Sequence, residues 1–479
     1  MSELGGGSLL CPFQKSEYAP DREIARVLVL NDSGGLNFVR SGDVKSFESK
    51  TVLSDGSGEE MYQLIAELYP ICRSITGQGI RETFGRIQQH IPLTITEVPS
   101  GTQVFDWMVP LEWNIRDAYV ADRQGIRIID FKQSNLHVVS YSTPISARMS
   151  LRELKEHLFT LPDHPDWIPY RTSYYKESWG FCLSHRQYLE LLDEDYDVVI
   201  DSSLEKGHLT YGEYYLPGET ADEVLISCHA CHPSLCNDNL SGIAVATFLA
   251  KSLQARSRRY SYRFLFLPVT IGAITWLALN QRHVSNIKHG FVLTGVGDEG
   301  GFTYKKTRDG AADIDAAFAH VLRHSGELFE VTEFIPYGYD ERQYGSPGFN
   351  LPVGCFMRRA NGGYPEYHTS ADNLDFVKPT SLSRSLEVVR SVVEVLEANR
   401  GYVNTSPFCE PQLGKRGLYR AIGGNVTGRS AEMAFLWVLN LSDGSHTLLQ
   451  IAERSGLPFS TIKLAADELE GQGLLRRSG

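Results

Sequence analysis

The sequence predicts an α/β protein with a three-layer sheet core, a small β-rich insertion and a C-terminal winged helix. Three observations predict it. From about residue 205, apolar runs of strand length alternate with segments of helical periodicity, the pattern of a sheet covered on both faces. Between residues 107 and 204, aromatics, prolines and short β-like runs replace that alternation. From Ala431 onward, three short helical segments lead into Gly471-Gln-Gly-Leu-Leu-Arg-Arg477, a turn that starts a strand.

Residues 1–55 are expected to be an extension, in which Ile24–Leu30 and Leu36–Val39 flank Asn31-Asp-Ser-Gly-Gly35 as a hairpin. Glu59–Tyr69 has the apolar spacing of an amphipathic helix and is stopped by Pro70. A second helix is expected over Ile80–His90, and Leu93–Val98 alternates like a strand. The core is assigned to residues 56–106 and 205–410, interrupted by the insertion at 107–204, whose β-like runs include Arg127–Phe131 and His137–Tyr141. Core strands are expected at Val224–Cys228, Tyr262–Pro268, Gly290–Val296 and Leu351–Met357. Core helices are expected at Leu240–Leu253, Ile274–Gln281, Ala311–His324 and Leu382–Arg400. A connector and the winged-helix domain fill 411–479, with helices at Ala431–Leu439, His446–Ser455 and Phe459–Glu470.

At 479 residues the chain should hold two or three domains, and 42% hydrophobic with 11% aromatic content is that of a folded protein. A net charge of −12 argues against broad binding to nucleic acid or anionic membrane. No apolar run has the length of a membrane span, and the N-terminus lacks the basic start and apolar core of a signal peptide, so a cytoplasmic location is expected. The eight cysteines are expected to stay thiols. Cys228, Cys231 and Cys236 form a Cys-x2-Cys-x4-Cys run, but no second pair completes a thiolate zinc site, and small residues filling a tight loop explain them. In the tail, residues 429–479 hold five Lys/Arg against six Asp/Glu, and the third helix sets Lys463 against Asp467, Glu468 and Glu470. A DNA reader needs positive charge toward the phosphates, so packing or homo-oligomerisation is the expected role of this domain.

The chemistry concentrates in Val224-Leu-Ile-Ser-Cys-His-Ala-Cys-His-Pro-Ser-Leu-Cys-Asn-Asp-Asn-Leu-Ser-Gly242. A buried strand stops at two histidines, a polar loop follows, and Asp238-Asn239 opens an apolar helix. Ligands of open α/β sheets bind at the carboxyl ends of strands. His229, His232, Asp238, Asp298 and His368 share that address and are the types that hold zinc. Singly, Asp238 would be an ordinary helix N-cap and each histidine a loop residue; their joint order points to a metal. Carboxylates expected near the cleft, Glu366, Glu299, Glu341 and Asp340, are candidates for a general base. Tyr339-Asp-Glu-Arg-Gln-Tyr344 is dense in hydrogen-bonding groups. Asp340, Arg342 and, beside His368, Tyr367 are candidates for binding substrate, with Arg342 suited to a carboxylate. The aromatic cluster Tyr170-Arg-Thr-Ser-Tyr-Tyr175 with Trp179-Gly-Phe-Cys182 could roof the cleft or fill a core.

The order of a strand ending in His, then Asp-Asn-x-Ser-Gly, then a later Asp, then Tyr-His-Thr-x-x-Asp resembles the zinc-dependent aminopeptidase superfamily of the bacterial leucyl-aminopeptidase type. More closely, the chain resembles a subgroup of bacterial aminopeptidase-like domain proteins with a small inserted domain and a C-terminal winged helix. Its markers here are Glu60-Met-Tyr62, Tyr69-Pro-Ile-Cys-Arg-Ser-Ile-Thr-Gly77, Asp106-Trp-Met-Val-Pro-Leu-Glu-Trp113, Cys231–Gly242, Tyr339–Tyr344 and Tyr367-His-Thr-Ser-Ala-Asp-Asn373. The resemblance spans roughly residues 58–477. It implies a mixed-sheet, phosphorylase/hydrolase-like core, zinc as cofactor, and a small peptide or amide as substrate. It also implies that His229 is the first histidine ligand, Asp238 the metal-bridging aspartate, Asp298 a later carboxylate ligand and His368 the final histidine.

Two departures qualify it. The superfamily places an imidazole-orienting aspartate two residues after the first histidine, where this chain has Cys231. It also carries a Glu-Glu pair, one the general base and one a metal ligand, where this chain has Val269 and Thr270. Three readings therefore stand: a metal site on His229, Asp238 and His368 with a different base and His232 as ligand or shuttle; a related reaction on an amide or acyl compound; or a degenerate site that binds or scaffolds.

Overall fold

The computed structural model describes residues 28–30, 36–38, 56–418 and 426–478. It divides into a unit of residues 1–53 and one of residues 54–479. In the first, Leu28–Leu30 pairs antiparallel with Leu36–Phe38; the rest of the expected hairpin lies outside the described residues.

The second unit is organised by an eight-stranded mixed sheet. Its strands are β1 (Thr94–Pro99), β2 (His208–Leu216), β3 (Glu223–His229), β4 (Ser261–Leu267), β5 (Ile287–Leu293), β6 (Phe302–Lys305), β7 (Phe329–Thr332) and β8 (Val353–Met357). They lie in the order β7-β6-β8-β5-β3-β4-β2-β1. β3 is central, parallel to β4 on one side and β5 on the other, and β8 continues the parallel run. β3 is buried along its whole length, as its mostly apolar sequence requires of a strand covered on both faces.

Alternate side chains supply the two faces. Val224, Ile226 and Cys228 join a cluster formed with helices α1 (Ser57–Leu68), α2 (Gln78–Ile87), α3 (Gly242–Gln254), α5 (Asp313–His324) and α6 (Pro379–Ala398). Leu225 faces the other way, into a cluster shared with α4 (Ile271–Asn280) and the insertion. His229 falls in the same alternation as Leu225 and so belongs to the face that the insertion covers. In α1 the spacing of Met61, Leu64, Ile65 and Leu68 gives the buried stripe read from sequence, and α6 starts with a proline in its first turn.

The insertion is built on a four-stranded sheet in which Asp195–Glu205 pairs antiparallel with Glu112–Ala121 and with Ile145–Ser150, and Arg127–Asp130 closes the edge. His137–Tyr141 is not a strand. Ser134 caps a short 3-10 turn at Asn135–His137, and the segment beyond it makes isolated bridges to Phe181 and Thr172. At the C-terminus, helices Val426–Leu441, Leu448–Ser455 and Phe459–Gly471 pack beside a three-stranded sheet of Gly401–Asn404, Asp443–Thr447 and Leu475–Arg477. The cysteines among the described residues are free thiols. Among the described residues no helix is long and apolar enough to cross a membrane.

Candidate metal centre

The centre is assembled where β3 ends. His229 closes the strand, fully buried, and its Nε2 lies 2.7 Å from Asp238 Oδ1. The second oxygen of Asp238 lies 3.0 Å from Nε2 of His368, which arrives from the loop beyond β8. His232 completes the group, its ring centroid 4.8 Å from that of His229 and 5.1 Å from that of His368. Donor atoms of His229, His232 and Asp238 all lie within 4.8 Å of one another.

The residues around Asp238 explain the motif that carries it. Asn237 donates from Nδ2 to Asp298 Oδ2 at 2.9 Å and accepts from the Gly297 N–H at 2.8 Å. Asn239 donates to the carbonyls of His229 and Leu293 and accepts from the Gly295 N–H, tying β3 to the end of β5. Ser241 accepts from the Val296 N–H and donates to the Asn237 carbonyl. Gly242 is required because a Cβ there would lie 2.3 Å from Asn239 Oδ1 and 2.6 Å from the Leu293 carbonyl oxygen. Behind this turn, Asp372 accepts the backbone N–H of Asn237 at 2.6 Å and of Asp238 at 2.9 Å. The two asparagines, the serine and the glycine therefore build a rigid mount, and Asp238 is the side chain it presents.

Burial by itself would raise the Asp238 pKa, but His232, His229 and His368 outweigh it and hold the carboxylate well below the usual range. Burial drives His232 far below the usual imidazole value, so its ring is neutral and offers a lone pair. Asp372 is pushed up to about 8 by burial, against the pull of the two N–H groups it accepts.

The insertion roofs this group. Tyr170 turns its ring edge to His232 at 5.2 Å and to His368 at 5.1 Å, and its N–H donates to the His368 carbonyl at 2.8 Å. Ile168 and Ser370 exchange two hydrogen bonds that pin the roof to the His368 loop. Of the two fates open to the aromatic cluster, Tyr170 takes the roof, while Phe181 joins the core. Tyr367 stacks on His368 at 4.0 Å, and Tyr339 stacks on His229 at 5.4 Å.

Not every expected residue joins the centre. The metal-ready group is His229, His232 and Asp238; Asp298 and His368 lie outside it, His368 meeting it through Asp238 Oδ2. Asp298 is fully buried, but its oxygens are engaged by Asn237, by the Gly300 N–H and by Arg359 at 3.2 Å. In this structure it braces the mount. Glu299 points to solvent. Glu341 is buried in an ion pair with Lys305 at 2.5 Å, which occupies it structurally. Asp340 is fully buried with neither oxygen partnered, and Arg342 Nε is likewise unpartnered. Glu366 keeps a buried Oε2 without a partner, two residues before His368. Val269 packs into the core cluster, and Thr270 precedes α4, so no carboxylate enters from β4. Sequence reasoning assigned no role to Asp372 or Tyr339. The only signal for Asp372 was its place in the Tyr-His-Thr-Ser-Ala-Asp run, and for Tyr339 its place at the head of the Tyr339–Tyr344 run.

The fit of this donor set to zinc rests on its chemistry: imidazoles, that of His232 neutral, beside one ionised carboxylate, with His229, His232 and Asp238 buried together and the His229 Nδ1 left without a partner.

Residues 62–399 match the family described as Domain of unknown function (DUF4910), and residues 400–477 match a winged helix-turn-helix family. A Clostridium acetobutylicum protein provisionally named for polysaccharide biosynthesis with an aminopeptidase-like domain is 55% identical, over 88% of this chain and 97% of its own. A crystal structure of a C. acetobutylicum protein, provisionally termed a peptidase, superposes with a TM-score of 0.84 at 53% identity, covering 88% of this chain and 97% of that one. BSAP, a zinc aminopeptidase from Bacillus subtilis, superposes with a TM-score of 0.51 at 11% identity, over 71% of this chain and 94% of that one, a likeness of fold alone. The mixed sheet is thus aminopeptidase-like, and the chain belongs to the DUF4910 family in the form that ends in a winged helix-turn-helix.

Proposed function

We propose that this protein is a metal-dependent hydrolase of an amide bond in a small molecule, its metal held by His229, Asp238, His368 and His232. One observation carries the reading: the buried Asp238 carboxylate is shared between two histidines of distant loops, with a third, neutral histidine beside them. Bound zinc would supply Lewis acidity toward the scissile carbonyl and lower the pKa of water. The chain supplies the rest. Tyr170 packs against His232 and Tyr367 against His368, which reduces the water around the group and strengthens charge interactions inside. Glu366, with a buried oxygen free of partners, is the group we assign to take the proton from water in place of the absent glutamate pair. The name of the Clostridium relative supports a substrate from glycan biosynthesis, such as an acylated amino sugar, over a general peptide.

Val269 and Thr270 favour a second reading, a site that binds without turnover. Metal content separates the two. Protein purified without chelator should carry about one zinc per chain, lost in His229→Ala and His368→Ala, and should release acid or amine from a panel of N-acyl amino sugars and aminoacyl amides. Absence of zinc after reconstitution would remove the hydrolase reading. Zinc without turnover across the panel would favour the binding protein.

A further inference from the structure

We propose that the cleft between the hairpin turning at Phe105–Asp106 and the outer side of α4 binds a neutral saccharide, as a subsite for a sugar unit of the substrate. The inference deepens the hydrolase reading above and takes from it only the glycan class of the substrate.

The hairpin pairs Gln103–Val104 with Trp107–Met108 and turns on Phe105 and Asp106 alone. Such a turn needs a positive φ, which glycine, asparagine or aspartate usually supplies. Here Phe105 supplies it, at φ 55°. A bulky side chain rarely adopts that conformation. The ring does not recover the strain by burial, because Phe105 is 47% exposed and the neighbouring Trp107 46%. An aromatic ring held toward solvent at the expense of the backbone points to binding. The run Asp106–Trp113, singled out in the sequence, has no part in the metal centre.

Phe105, Trp107 and Phe349 line a cleft of about 440 Å³ together with Ile274 and Leu277 of α4. That volume falls within the roughly 300–1,000 Å³ of small-ligand sites. Edge contacts hold the rings in place: Phe105 on Phe349 at 5.8 Å, and Trp107 on Tyr175 at 5.4 Å. Asp106, Gln343 and Ser346 bring polar groups to the same lining, and their side chains make no hydrogen bond or ion pair among the described residues.

This mixture selects the ligand. The lining holds no lysine or arginine, so a phosphate or carboxylate finds no counter-charge there. A wholly apolar ligand would strip water from Asp106, Gln343 and Ser346 and return no partner. A pyranose answers both needs: its C–H face packs on the negative face of an aromatic ring, and its hydroxyls pair with carboxamide, hydroxyl and carboxylate. Two chain segments join the cleft to the metal centre. Tyr339 stacks on His229, and Gln343 follows one turn later. Tyr175, against Trp107, ends the run whose Tyr170 covers His232 and His368.

The test is calorimetric titration of the zinc-free full chain with chitotetraose, cellotetraose and maltotetraose. Wild type should bind at least one of them, and Trp107→Ala should weaken that binding about tenfold or more. Phe105→Asn should also weaken it while keeping or raising the melting midpoint, because asparagine accepts the positive φ. A merely structural Phe105 would instead lower the midpoint and leave affinity alone. Affinity unchanged in both variants, or no binding of any of the three by wild type, would overturn the inference. So would wild-type self-association in sedimentation that Trp107→Ala abolishes while no saccharide binds, which would give the cleft to a second copy of the chain. Saccharide binding by a protein that takes up no zinc would remove the hydrolase reading and leave the cleft standing, whereas zinc uptake without saccharide binding would overturn the cleft alone.

Discussion

Asp238 gives one carboxylate oxygen to His229 at 2.7 Å and the other to His368 at 3.0 Å, joining two loops that are 139 positions apart by residue number (368 − 229). The same residue is fixed from behind by the Asp372 carboxylate on its backbone N–H. The centre is therefore as rigid as the turn that carries Asp238, and the predictions below concern that turn, its roof and the units attached to it.

Gly242→Ala would drive a Cβ into Asn239 Oδ1 and the Leu293 carbonyl. Asn239 holds the His229 carbonyl and the Gly295 N–H, so its displacement moves the first histidine. The variant should lose about 1–3 kcal/mol in urea unfolding and bind less zinc than wild type.

Tyr170→Ala removes a buried ring from over His232 and His368. It should cost about 3 kcal/mol and speed zinc release to a chelator. Tyr170→Phe removes only the hydroxyl contact to Tyr174 at 3.1 Å and should cost less than about 1.5 kcal/mol. Equal effects of the two would contradict a roof made of the ring itself.

Glu112 clamps the start of the insertion to α2 by accepting from Arg81 Nη1 and Nη2, each at 2.7 Å, and from the His208 N–H at 2.8 Å. The Arg81 hydrogen bonds, working against burial and helped by His208, hold its pKa at about 2. An unfolded glutamate titrates near 4.3, so the stabilisation is complete above about pH 5 and is lost as pH falls toward 2. Glu112→Gln should cost about 2 kcal/mol at pH 7. The gap from wild type should shrink steadily across that acid window in denaturation curves taken at each pH.

His320 on α5 ties the winged helix to the core. Its Nε2 accepts the Phe459 N–H at 2.9 Å, so the ring proton is on Nδ1, which donates to Glu453 at 2.6 Å. Arg323 holds the same carboxylate at 2.8 and 2.9 Å. His320→Ala orphans the Phe459 N–H at the start of its helix and should cost about 1–3 kcal/mol. Hydrogen exchange should accelerate in residues 459–471 before it does in the central sheet.

The strands of the central parallel run were legible because a strand buried on both faces is mostly apolar, as Val224–Cys228 is apart from Ser227. β2 and β6 were not, because their inward positions carry charge. Glu213 of β2 is paired with Arg263 of β4 and accepts from Trp276, and Lys305 of β6 is paired with Glu341. Each looks like a surface residue until its distant partner is known. His137–Tyr141 has the composition of a strand, but the capped 3-10 turn before it and partners at Phe181 and Thr172 hold it as a connector.

The sequence by itself determined the strand–loop–helix that carries His229, His232 and Asp238, because those positions lie within one local turn whose asparagines, serine and glycine leave few conformations open. It also marked His368 through its resemblance to a known order of ligands. Only the tertiary structure decided that His232 joins the group, that Asp298 braces the mount instead, that Tyr170 closes the roof, and that Asp340 and Asp372 stand buried beside the turn. These are relations between loops brought together by strand order. Local periodicity fixes which residues form a strand, whereas the pairing of β3 with β4 and β5, and of β5 with β8, fixes which loop ends meet.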